Sequence, residues 1–398
     1  MKNKAKRLLF VLPTAQIGGT RTSLLNLLAN MDKEKYNIDV MFIRNKGALL
    51  KQFKERCKVL PQDKVLLAGR ESVLTLLKSG KIISVVKSLV FIVKSKLTKE
   101  SRYEIAYKKA AKNYDGKYDC VIAYQEKDAS EFAGYIESPK KIAWIHTDFS
   151  RTIKPKGEEW FSQVTNRFDK VVFVSDACMN EFKEKSHIDP SKMMRIYNTF
   201  DSARIIRKSK KLSVKKPNDK PVFVSVGRFC EQKSFDRVVD AAYRLKAEGY
   251  KFKWYVIGDG ELFSQIESEV KEKGLTDCVR LTGRKPNPYP YYLIADAFVI
   301  TSNVESHPMV ANEAFILSVP VISTSFSSAK EVVTDGVNGI LCENNSEGVY
   351  QAVKKVLDDP ALLKGIKERL VDFEYDNQSI IKQVEEVIDE KPMTEVMV

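Results

Sequence analysis

The sequence has few of the residues that build metal sites and disulfide frameworks. Its 398 residues include six cysteines, with no Cys-x-x-Cys pair, and three histidines that lie far apart, His146, His187 and His307. Scattered cysteines of this kind predict small buried hydrophobic residues in a reducing compartment. The histidines lack the spacing of metal ligands, so the sequence predicts no metal site.

Long apolar runs are also missing. The N-terminal segment has a charged start, but its apolar run is only about six residues long and breaks at Pro13, which is too short for the core of a signal peptide. No apolar segment reaches the roughly 18 to 20 residues that a membrane span needs. These absences predict a cytoplasmic protein.

The length and the charge are informative in turn. A chain of 398 residues is too long for one ordinary core, and its 43% hydrophobic content is typical of folded proteins. The formal net charge of +14 predicts attraction to phosphates, anionic lipids or nucleic acid. No helix-turn-helix, zinc or RNA-binding signature accompanies this charge, so nucleic acid is not expected as a partner.

Two series of short apolar segments predict the architecture. Each segment has the length of a strand and is separated from the next by a segment of helical length, as in parallel sheets that are covered on both faces. The first series lies at residues 7–13, 37–43, 58–60, 119–124, 141–146 and 170–175, and the second at residues 222–226, 252–257, 279–282, 297–301, 320–323 and 339–342. The basic segment 207–219 between the two series is predicted to be an exposed linker.

This pattern predicts an α/β protein with two doubly wound, Rossmann-like domains. The first domain is predicted at residues 1–205 and the second at residues 206–376, with a ligand in the cleft between them. Residues 377–398 are predicted to form a helix that packs back towards the first domain, followed by a frayed tail beyond residue 390.

Two carboxylates, Glu305 and Glu313, follow the predicted strand at 297–301 with the spacing Glu305-x7-Glu313. A helix that begins at Pro308 places Glu305 in the loop before it and Glu313 on its second turn. The first amides of such a helix point outward at the positive end of its dipole and can hold an anion. Judged by spacing alone, two unrelated glutamates are the more ordinary explanation.

Further candidate ligand-binding residues follow other predicted strands. Arg228 and Lys233 come after the first strand of the second series, where two cations can clamp a diphosphate or simply lie in solvent. The glycine turns at 18–19 and 258–260 leave room for a ligand or are ordinary tight turns. His146 ends a strand of the first series, a place where a histidine is usually structural but can also face a ligand.

Together these motifs resemble a family-4 retaining glycosyltransferase of the GT-B fold, of the kind that builds bacterial capsules, exopolysaccharides and cell-wall polysaccharides. The resemblance covers nearly the whole chain and depends on these segments: Gly18-Gly19, His146, Val174-Ser175-Asp176, Ile196-Tyr197-Asn198, Gly227-Arg228 with Lys233, Gly258-Asp259-Gly260, Asn287-Pro288-Tyr289-Pro290-Tyr291 and Glu305-x7-Glu313. The chain departs from the family at Ser306, where glycine is usual, which leaves the donor preference open. It departs again at Arg21, which can contact a phosphate or the acceptor.

The resemblance implies transfer of a sugar, with retention, from a nucleotide donor of the UDP type to a lipid-linked glycan, without a metal or another cofactor. Glu313 would bind the ribose hydroxyls and Glu305 the hydroxyls of the donor sugar. The residues implied to bind the donor are Gly19, Arg228, Lys233, Arg284, Met309, Val310 and Glu313, and those implied at the reaction centre are Glu305, His146, Arg228 and Lys233. Two alternatives share the architecture: a nucleotide-sugar epimerase, and a non-catalytic partner of another transferase.

Segment 78–110 is rich in lysine and has an apolar helical face formed by Ile82, Ile83, Val86, Leu89, Val90 and Val93. This face can pack on the sheet of the first domain and leave the lysines in solvent. Alternatively it can lie on an anionic membrane surface, which would place the protein peripherally on the inner face of the plasma membrane, near a lipid-linked acceptor.

Overall fold

The structure is a computed structural model that describes residues 5–154, 156–217 and 220–390. The chain forms two compact units. The first contains residues 5–199 together with 377–390, and the second contains residues 200–376.

The first unit is built on a parallel sheet whose strands are β1 (Lys6–Leu12), β2 (Tyr36–Phe42), β3 (Lys58–Val59), β4 (Cys120–Ala123), β5 (Lys140–Ile145), β6 (Lys170–Phe173) and β7 (Met193–Arg195). Their order is β3-β2-β1-β4-β5-β6-β7, and every neighbouring pair is parallel. Strands β1 to β6 match the predicted segments. Strand β7 was not predicted, because it is a half-buried edge strand without an apolar run.

The second unit is built on a parallel sheet whose strands are β8 (Val222–Val226), β9 (Lys253–Ile257), β10 (Val279–Leu281), β11 (Ala297–Ile300), β12 (Val321–Thr324) and β13 (Gly339–Cys342). Their order is β10-β9-β8-β11-β12-β13. All six match predicted segments. Strands β8, β9, β11 and β12 are buried and therefore apolar on nearly every position, whereas the edge strands β10 and β13 are only partly buried.

Helices lie between the strands of both sheets. Those of the first unit are α1 (Gly19–Asn30), α2 (Leu50–Lys54), α3 (Lys64–Arg70), α4 (Val73–Lys78), α5 (Ile82–Thr98), α6 (Arg102–Ala111), α7 (Asp128–Ala133), α8 (Phe149–Ile153), α9 (Glu158–Thr165) and α10 (Asp176–Lys185). Those of the second unit are α11 (Ser202–Ser209), α12 (Asp236–Ala247), α13 (Phe263–Glu272), α14 (Tyr289–Ile294), α15 (Met309–Ile316), α16 (Ser346–Asp358) and α17 (Pro360–Arg369). The chain then returns to the first unit with α18 (Asn377–Asp389).

Both sheets have the strand order of a doubly wound fold, so the predicted fold class is confirmed. In each sheet the winding direction reverses between two central strands, β1 and β4 in the first unit and β8 and β11 in the second. Ligands of such sheets bind beyond the carboxyl ends of the strands at this reversal. Each unit therefore has one expected ligand-binding edge.

The second unit begins at Phe200 and not after residue 205. The reason is α11, which packs on α14 and α15 and buries Ile205. Residues 207–209 are thus helical, which corrects part of the predicted linker at 207–219. Residues 210–217 form neither helix nor strand, and residues 218–219 lie outside the described part of the chain.

Helix α18 packs on α1 and buries four apolar side chains, Ile380, Val384, Val387 and Ile388. Its polar side and Glu390, which follows it directly, form ion pairs near the amino ends of several strands. The pairs are Lys6–Asp389 at 2.6 Å, Lys35–Glu385 at 2.7 Å, Lys140–Glu390 at 3.2 Å and Lys170–Glu390 at 3.1 Å. The tail predicted beyond residue 390 lies outside the described residues.

Helix α5 has its apolar face outward. The six side chains named above for this face are 44–71% exposed, and the buried face is instead formed by Ser84, Val85, Ser88 and Phe91. Of the two alternatives for this face, packing on the sheet is therefore wrong. No helix within the described residues is long and apolar enough to cross a membrane.

The six cysteines are all free thiols. Cys120, Cys178 and Cys278 are buried, as predicted, and Cys57, Cys230 and Cys342 are only partly buried. The expectation of six buried cysteines is therefore correct for half of them.

Candidate functional site

Lys233 and Glu305 meet at the ligand-binding edge of the second unit. Lys233 lies on the loop after β8 and Glu305 on the loop after β11, and these strands are neighbours. The Lys233 ammonium forms an ion pair with the Glu305 carboxylate. Two neutral side chains also donate to this carboxylate, the Ser302 hydroxyl at 2.8 Å and the Gln232 amide at 3.3 Å.

This ion pair is largely removed from water, because the Lys233 side chain is 19% exposed and that of Glu305 is 10% exposed. Buried charges are tolerated when they are paired and their remaining hydrogen bonds are made. The backbone on both sides is also fixed: the Thr301 hydroxyl donates to the Lys233 carbonyl and the Ser328 hydroxyl to the Glu305 carbonyl, each at 2.7 Å. The pair is therefore preorganised before any ligand arrives.

The Gly258-Asp259-Gly260 turn brings two loops into close contact. Gly258 has a φ of +153° and Gly260 a φ of +157°. A Cβ atom at Gly258 would lie 1.8 Å from the Gly227 carbonyl oxygen, and one at Gly260 would lie 2.3 Å from the Phe229 carbonyl oxygen. Of the two interpretations of this turn, the structure favours tight packing. The turn packs against the loop that carries Lys233.

Arg228 and Arg284 lie in solvent beside this turn. Arg228 pairs with Glu261 at 3.0 Å and Arg284 with Asp259 at 3.4 Å, and their side chains are 71% and 54% exposed. The structure thus places neither arginine on the Lys233–Glu305 pair. Exposed pairs of this kind contribute little to stability, so either arginine can turn to a ligand at small cost.

The amides at the start of α15 are not all free, which corrects the sequence prediction. Pro308 has φ −78° and ψ 80°, the geometry of a tight three-residue turn. This turn lets the Met309 amide donate to the His307 carbonyl at 2.9 Å, and the third amide of the helix donates to the Pro308 carbonyl at 3.0 Å. Among the described residues the Val310 amide has no acceptor outside the helix, so it remains available for an anion.

Glu313 is buried against two tyrosines of α14, Tyr289 and Tyr292. The Tyr289 hydroxyl donates to one carboxylate oxygen at 3.0 Å and the Tyr292 hydroxyl donates to the other at 3.4 Å. Burial raises the pKa of Glu313 to about 7, against the opposing effects of both tyrosines and of Arg204 and Lys208. Glu313 therefore changes charge near neutral pH.

Replacing Glu313 by glutamine is expected to remove a pH dependence of stability. Because the folded-state pKa of about 7 lies above the ordinary value of 4.5, the folded state binds more protons in this interval, and stability falls as the pH rises through it. We compare the unfolding free energy of Glu313→Gln with that of the wild type at pH 5 and at pH 8. The difference between variant and wild type should rise by about 2 kcal/mol in favour of the variant from the lower to the higher pH. Urea unfolding at both pH values measures this gain.

The exposed glutamate Glu272 supplies the matched control, because a Glu272→Gln substitution removes the same charge from solvent. Its stability difference from the wild type should be the same at both pH values. If Glu313→Gln behaved in the same way, the Glu313 carboxylate would not titrate near pH 7.

In the first unit, His146 follows β5 directly and lies beside residues that follow β4. Its backbone amide donates to the Glu126 carboxylate at 3.1 Å, and its ring packs on Tyr124 with the centroids 4.8 Å apart. The Tyr124 hydroxyl is in turn 2.9 Å from the Ser23 hydroxyl. The ring of His146 is thus held in place at the ligand-binding edge of this unit.

The first glycine turn is open on the ligand side. Gly18 precedes α1 and Gly19 begins it, and a Cβ atom at either position would meet nothing within 4 Å. The Arg21 side chain turns back, and its Nε donates to the Thr14 carbonyl at 3.0 Å. Burial lowers the pKa of Arg21 and the charge of Glu126 opposes this lowering, which places Arg21 in the field of that carboxylate.

The sequence did not reveal several partners of the predicted site residues: Glu126, Gln232, Tyr289, Tyr292, Ser302 and Ser328. Tyr289 belongs to the Asn287–Tyr291 segment, but its contact with Glu313 depends on how α14 packs. His307 lies on the same loop as Glu305, and its Nε2 atom is 3.3 Å from the Asn312 side-chain amide. Within the part of the chain that the structure describes, no group of three or more histidine, cysteine, aspartate or glutamate side chains is arranged to hold a metal ion.

The chain is similar to known proteins in sequence and in fold. Residues 206–395 match the family model of glycosyl transferases group 1. The lipopolysaccharide core biosynthesis glycosyltransferase LpsE of Rhizobium meliloti is 30% identical over 154 residues, which cover 38% of this chain and 44% of LpsE. The chain therefore spans about half the length of the curated relatives that it matches.

A second relative is the N-acetylgalactosamine-N,N'-diacetylbacillosaminyl-diphospho-undecaprenol 4-alpha-N-acetylgalactosaminyltransferase of Campylobacter jejuni. It is 28% identical over 221 residues, which cover 52% of this chain and 59% of that enzyme. Among solved structures, HepE of Anabaena in complex with UDP and glucose has a TM-score of 0.74 at 17% identity and covers 96% of this chain and 99% of HepE. The chain thus has a GT-B fold, and its residues 206–395 are similar to the glycosyl transferases group 1 family.

Proposed function

We propose that the protein is a retaining glycosyltransferase of family 4, which moves a sugar from a UDP-linked donor to a lipid-linked glycan in the synthesis of a surface polysaccharide. The observation that carries the proposal is the preorganised Lys233–Glu305 pair at the ligand-binding edge of the second unit. The family match over residues 206–395 supports the donor side of the reaction. HepE, whose structure contains UDP and glucose, supports the choice of a UDP donor.

Lys233 would stabilise the leaving diphosphate. An ammonium group has three N–H donors, and Glu305 uses one of them, so the others remain for phosphate oxygens. Arg228, released from its exposed pair with Glu261, would add further positive charge, and the Val310 amide would add a hydrogen-bond donor. Fixed charge aimed at the leaving group lowers the barrier, because negative charge grows there in the transition state.

Glu305 would bind the hydroxyls of the donor sugar. Its carboxylate faces the same edge as Lys233, and among the described residues its second oxygen accepts one hydrogen bond, from Gln232 at 3.3 Å. Glu313 would bind the ribose hydroxyls by exchanging its bonds to Tyr289 and Tyr292 for bonds to the sugar. Retention then follows when the acceptor attacks from the face that the diphosphate leaves, with a phosphate oxygen accepting its proton.

His146, at the ligand-binding edge of the first unit, would lie near the donor sugar when the acceptor is in place. A lipid-linked acceptor is supported by the relative from Campylobacter jejuni, whose name specifies a diphospho-undecaprenol substrate. The lipopolysaccharide enzyme LpsE supports the assignment to surface polysaccharides.

A panel of nucleotide sugars tests the proposal. Thermal shift and slow donor hydrolysis are measured without metal and without acceptor. We expect one UDP-sugar to stabilise the protein and to release its sugar slowly. Conversion of the free donor into an epimer would instead identify an epimerase, and a folded protein that no nucleotide stabilises would identify a non-catalytic partner.

We further propose that α4 and α5 dock the protein on the anionic inner face of the plasma membrane. The apolar face of α5 extends to Leu97, which is 78% exposed, and continues on α4 with Leu74 and Leu77, which are 69% and 54% exposed. Helix α5 carries three lysines and no acidic residue. An exposed apolar face bordered by lysines matches an anionic lipid surface in both shape and charge.

Vesicle flotation is expected to show this docking. The protein should float with vesicles containing phosphatidylglycerol at low salt, and Val86→Ser with Val93→Ser should reduce the bound fraction at least tenfold, since both side chains are 57% exposed. The matched control is Leu293→Ser, at an exposed leucine of the second unit that should leave binding unchanged. Failure of the wild type to float would contradict the docking.

A further inference from the structure

The first unit contains a groove that the donor site does not use. It has a volume of about 440 Å³ and is lined by Gln125, Glu126, Lys127, Thr147, Arg151 and Lys154. These residues follow β4 and β5, two neighbouring strands, at the carboxyl ends where ligands of parallel sheets bind. The volume falls within the range of small-molecule sites.

The one carboxylate in the groove wall is already satisfied by the protein. Glu126 is 1% exposed, and it accepts hydrogen bonds from the His146 amide at 3.1 Å and from the Thr147 hydroxyl at 2.9 Å. Arg21 lies within its electrostatic reach. Since buried carboxylates require such partners, Glu126 is part of the framework of the groove.

The other acidic residues around the groove are likewise paired. Asp128 pairs with Arg70, Glu131 with Lys156 at 2.6 Å, and Asp148 with Arg151 at 3.5 Å. None of the described residues forms an ion pair with Lys127 or Lys154. Lys127 and Lys154 therefore keep two positive charges that no ion pair among the described residues offsets, against the one negative charge of Glu126 in the same wall.

The backbone at Lys127 is strained. Its φ of +68° and ψ of −120° place a side-chain-bearing residue in the left-handed half of the conformational map. Such a conformation costs free energy that the surrounding structure must supply, and it occurs preferentially at ligand-binding positions. Here it places a lysine, and not a glycine, at the groove.

We infer that this groove binds a phosphate or diphosphate group of the acceptor, and that the acceptor is therefore a phosphate-bearing glycan. Lys127 and Lys154 supply the positive charge, and the Gln125 side-chain amide supplies N–H donors. This inference rests on the proposed glycosyltransferase function for the identity of the ligand, but the anion site itself does not depend on that function.

Binding of inorganic pyrophosphate to the full chain tests the inference. Calorimetry should detect one site at the groove and a second at Lys233. To isolate the groove, the titration uses a Lys233→Met, Glu305→Gln background. In that background, Lys127→Gly with Lys154→Gln should weaken pyrophosphate binding at least tenfold. Glycine is chosen at position 127 because it tolerates the left-handed backbone, so the fold is preserved.

The control is Lys183→Gln, which removes one positive charge from an exposed position on α10 and should leave pyrophosphate binding unchanged. Equal affinities of the groove variant and this control would overturn the inference. If pyrophosphate binds the groove but no nucleotide sugar binds the wild type, the anion site stands and the proposed function fails.

Vesicle flotation separates an acceptor phosphate from a lipid headgroup. If the groove serves the acceptor, the variant with Lys127→Gly and Lys154→Gln should bind phosphatidylglycerol vesicles like the wild type. A loss of flotation as large as that caused by Val86→Ser with Val93→Ser would instead make the groove a headgroup site and overturn the assignment to the acceptor.

Discussion

Replacing Glu305 by glutamine is expected to lower the rate of sugar transfer about 100-fold and to leave nucleotide affinity equal to or higher than that of the wild type. Hydrogen bonds between a carboxylate and sugar hydroxyls contribute about 1.5 to 3 kcal/mol each, which accounts for the rate loss. The same substitution removes the charge that neutralises Lys233 in the free protein. The lysine is then fully available to the diphosphate. Steady-state kinetics and UDP titration measure the two effects separately.

Two comparisons sharpen this experiment. Glu248 pairs with Lys354 at 2.6 Å on the surface of the same unit, so Glu248→Gln removes a similar ion pair without touching the site. This control substitution should change neither the rate of sugar transfer nor the nucleotide affinity. Lys233→Met should instead abolish nucleotide binding, because it removes the cation and leaves Glu305 buried without its partner. Unchanged turnover in Glu305→Gln would contradict the proposed contact with the donor sugar.

Replacing Gly258 by alanine is expected to destabilise the second unit by about 3 kcal/mol, because it combines backbone strain with a steric clash. The added methyl group would lie 1.8 Å from the Gly227 carbonyl oxygen, and that oxygen belongs to the backbone and cannot swing aside. The loop from Gly227 to Lys233 must shift, so nucleotide affinity should fall as well. Chemical unfolding and UDP titration report the two losses.

Gly274 provides a matched control for this prediction. Its φ of +64° also favours glycine, but a Cβ atom there would meet nothing within 4 Å. Gly274→Ala should therefore cost about 1 kcal/mol, the cost of the backbone conformation alone. Equal losses in the two variants would show that the contact between the two loops does not constrain the site.

The sequence predicts the fold well because both sheets are parallel and buried. A strand such as β8, Val222–Val226, must be apolar on nearly every position, and this produces a recognisable run. Strand β7 escapes prediction because Met193–Arg195 is short and half-buried at a sheet edge. The exposure of α5 could not be predicted for a different reason. Its periodicity predicts an apolar face, but periodicity does not indicate whether that face is covered by other residues.

The sequence predicts which residues form the candidate site, but not which hydrogen bonds and ion pairs they make. Glu305 and Lys233 follow neighbouring strands, so their proximity follows from the fold. Their ion pair, and the bonds from Tyr289 and Tyr292 to Glu313, depend on side-chain conformations and on the packing of α14. Sequence rules for helix starts also do not predict the turn at Pro308. They predict free amides where the structure has local hydrogen bonds.

Helix α18 has a consequence for the order of folding during synthesis. It belongs to the first unit, yet the ribosome makes it only after the whole of the second unit. Until then Lys6, Lys35, Lys140 and Lys170 lack their carboxylate partners, and the surface of α1 that α18 covers stays exposed. The second unit is continuous in sequence and can fold first. The half of the protein that is translated earliest is therefore the half that is completed last.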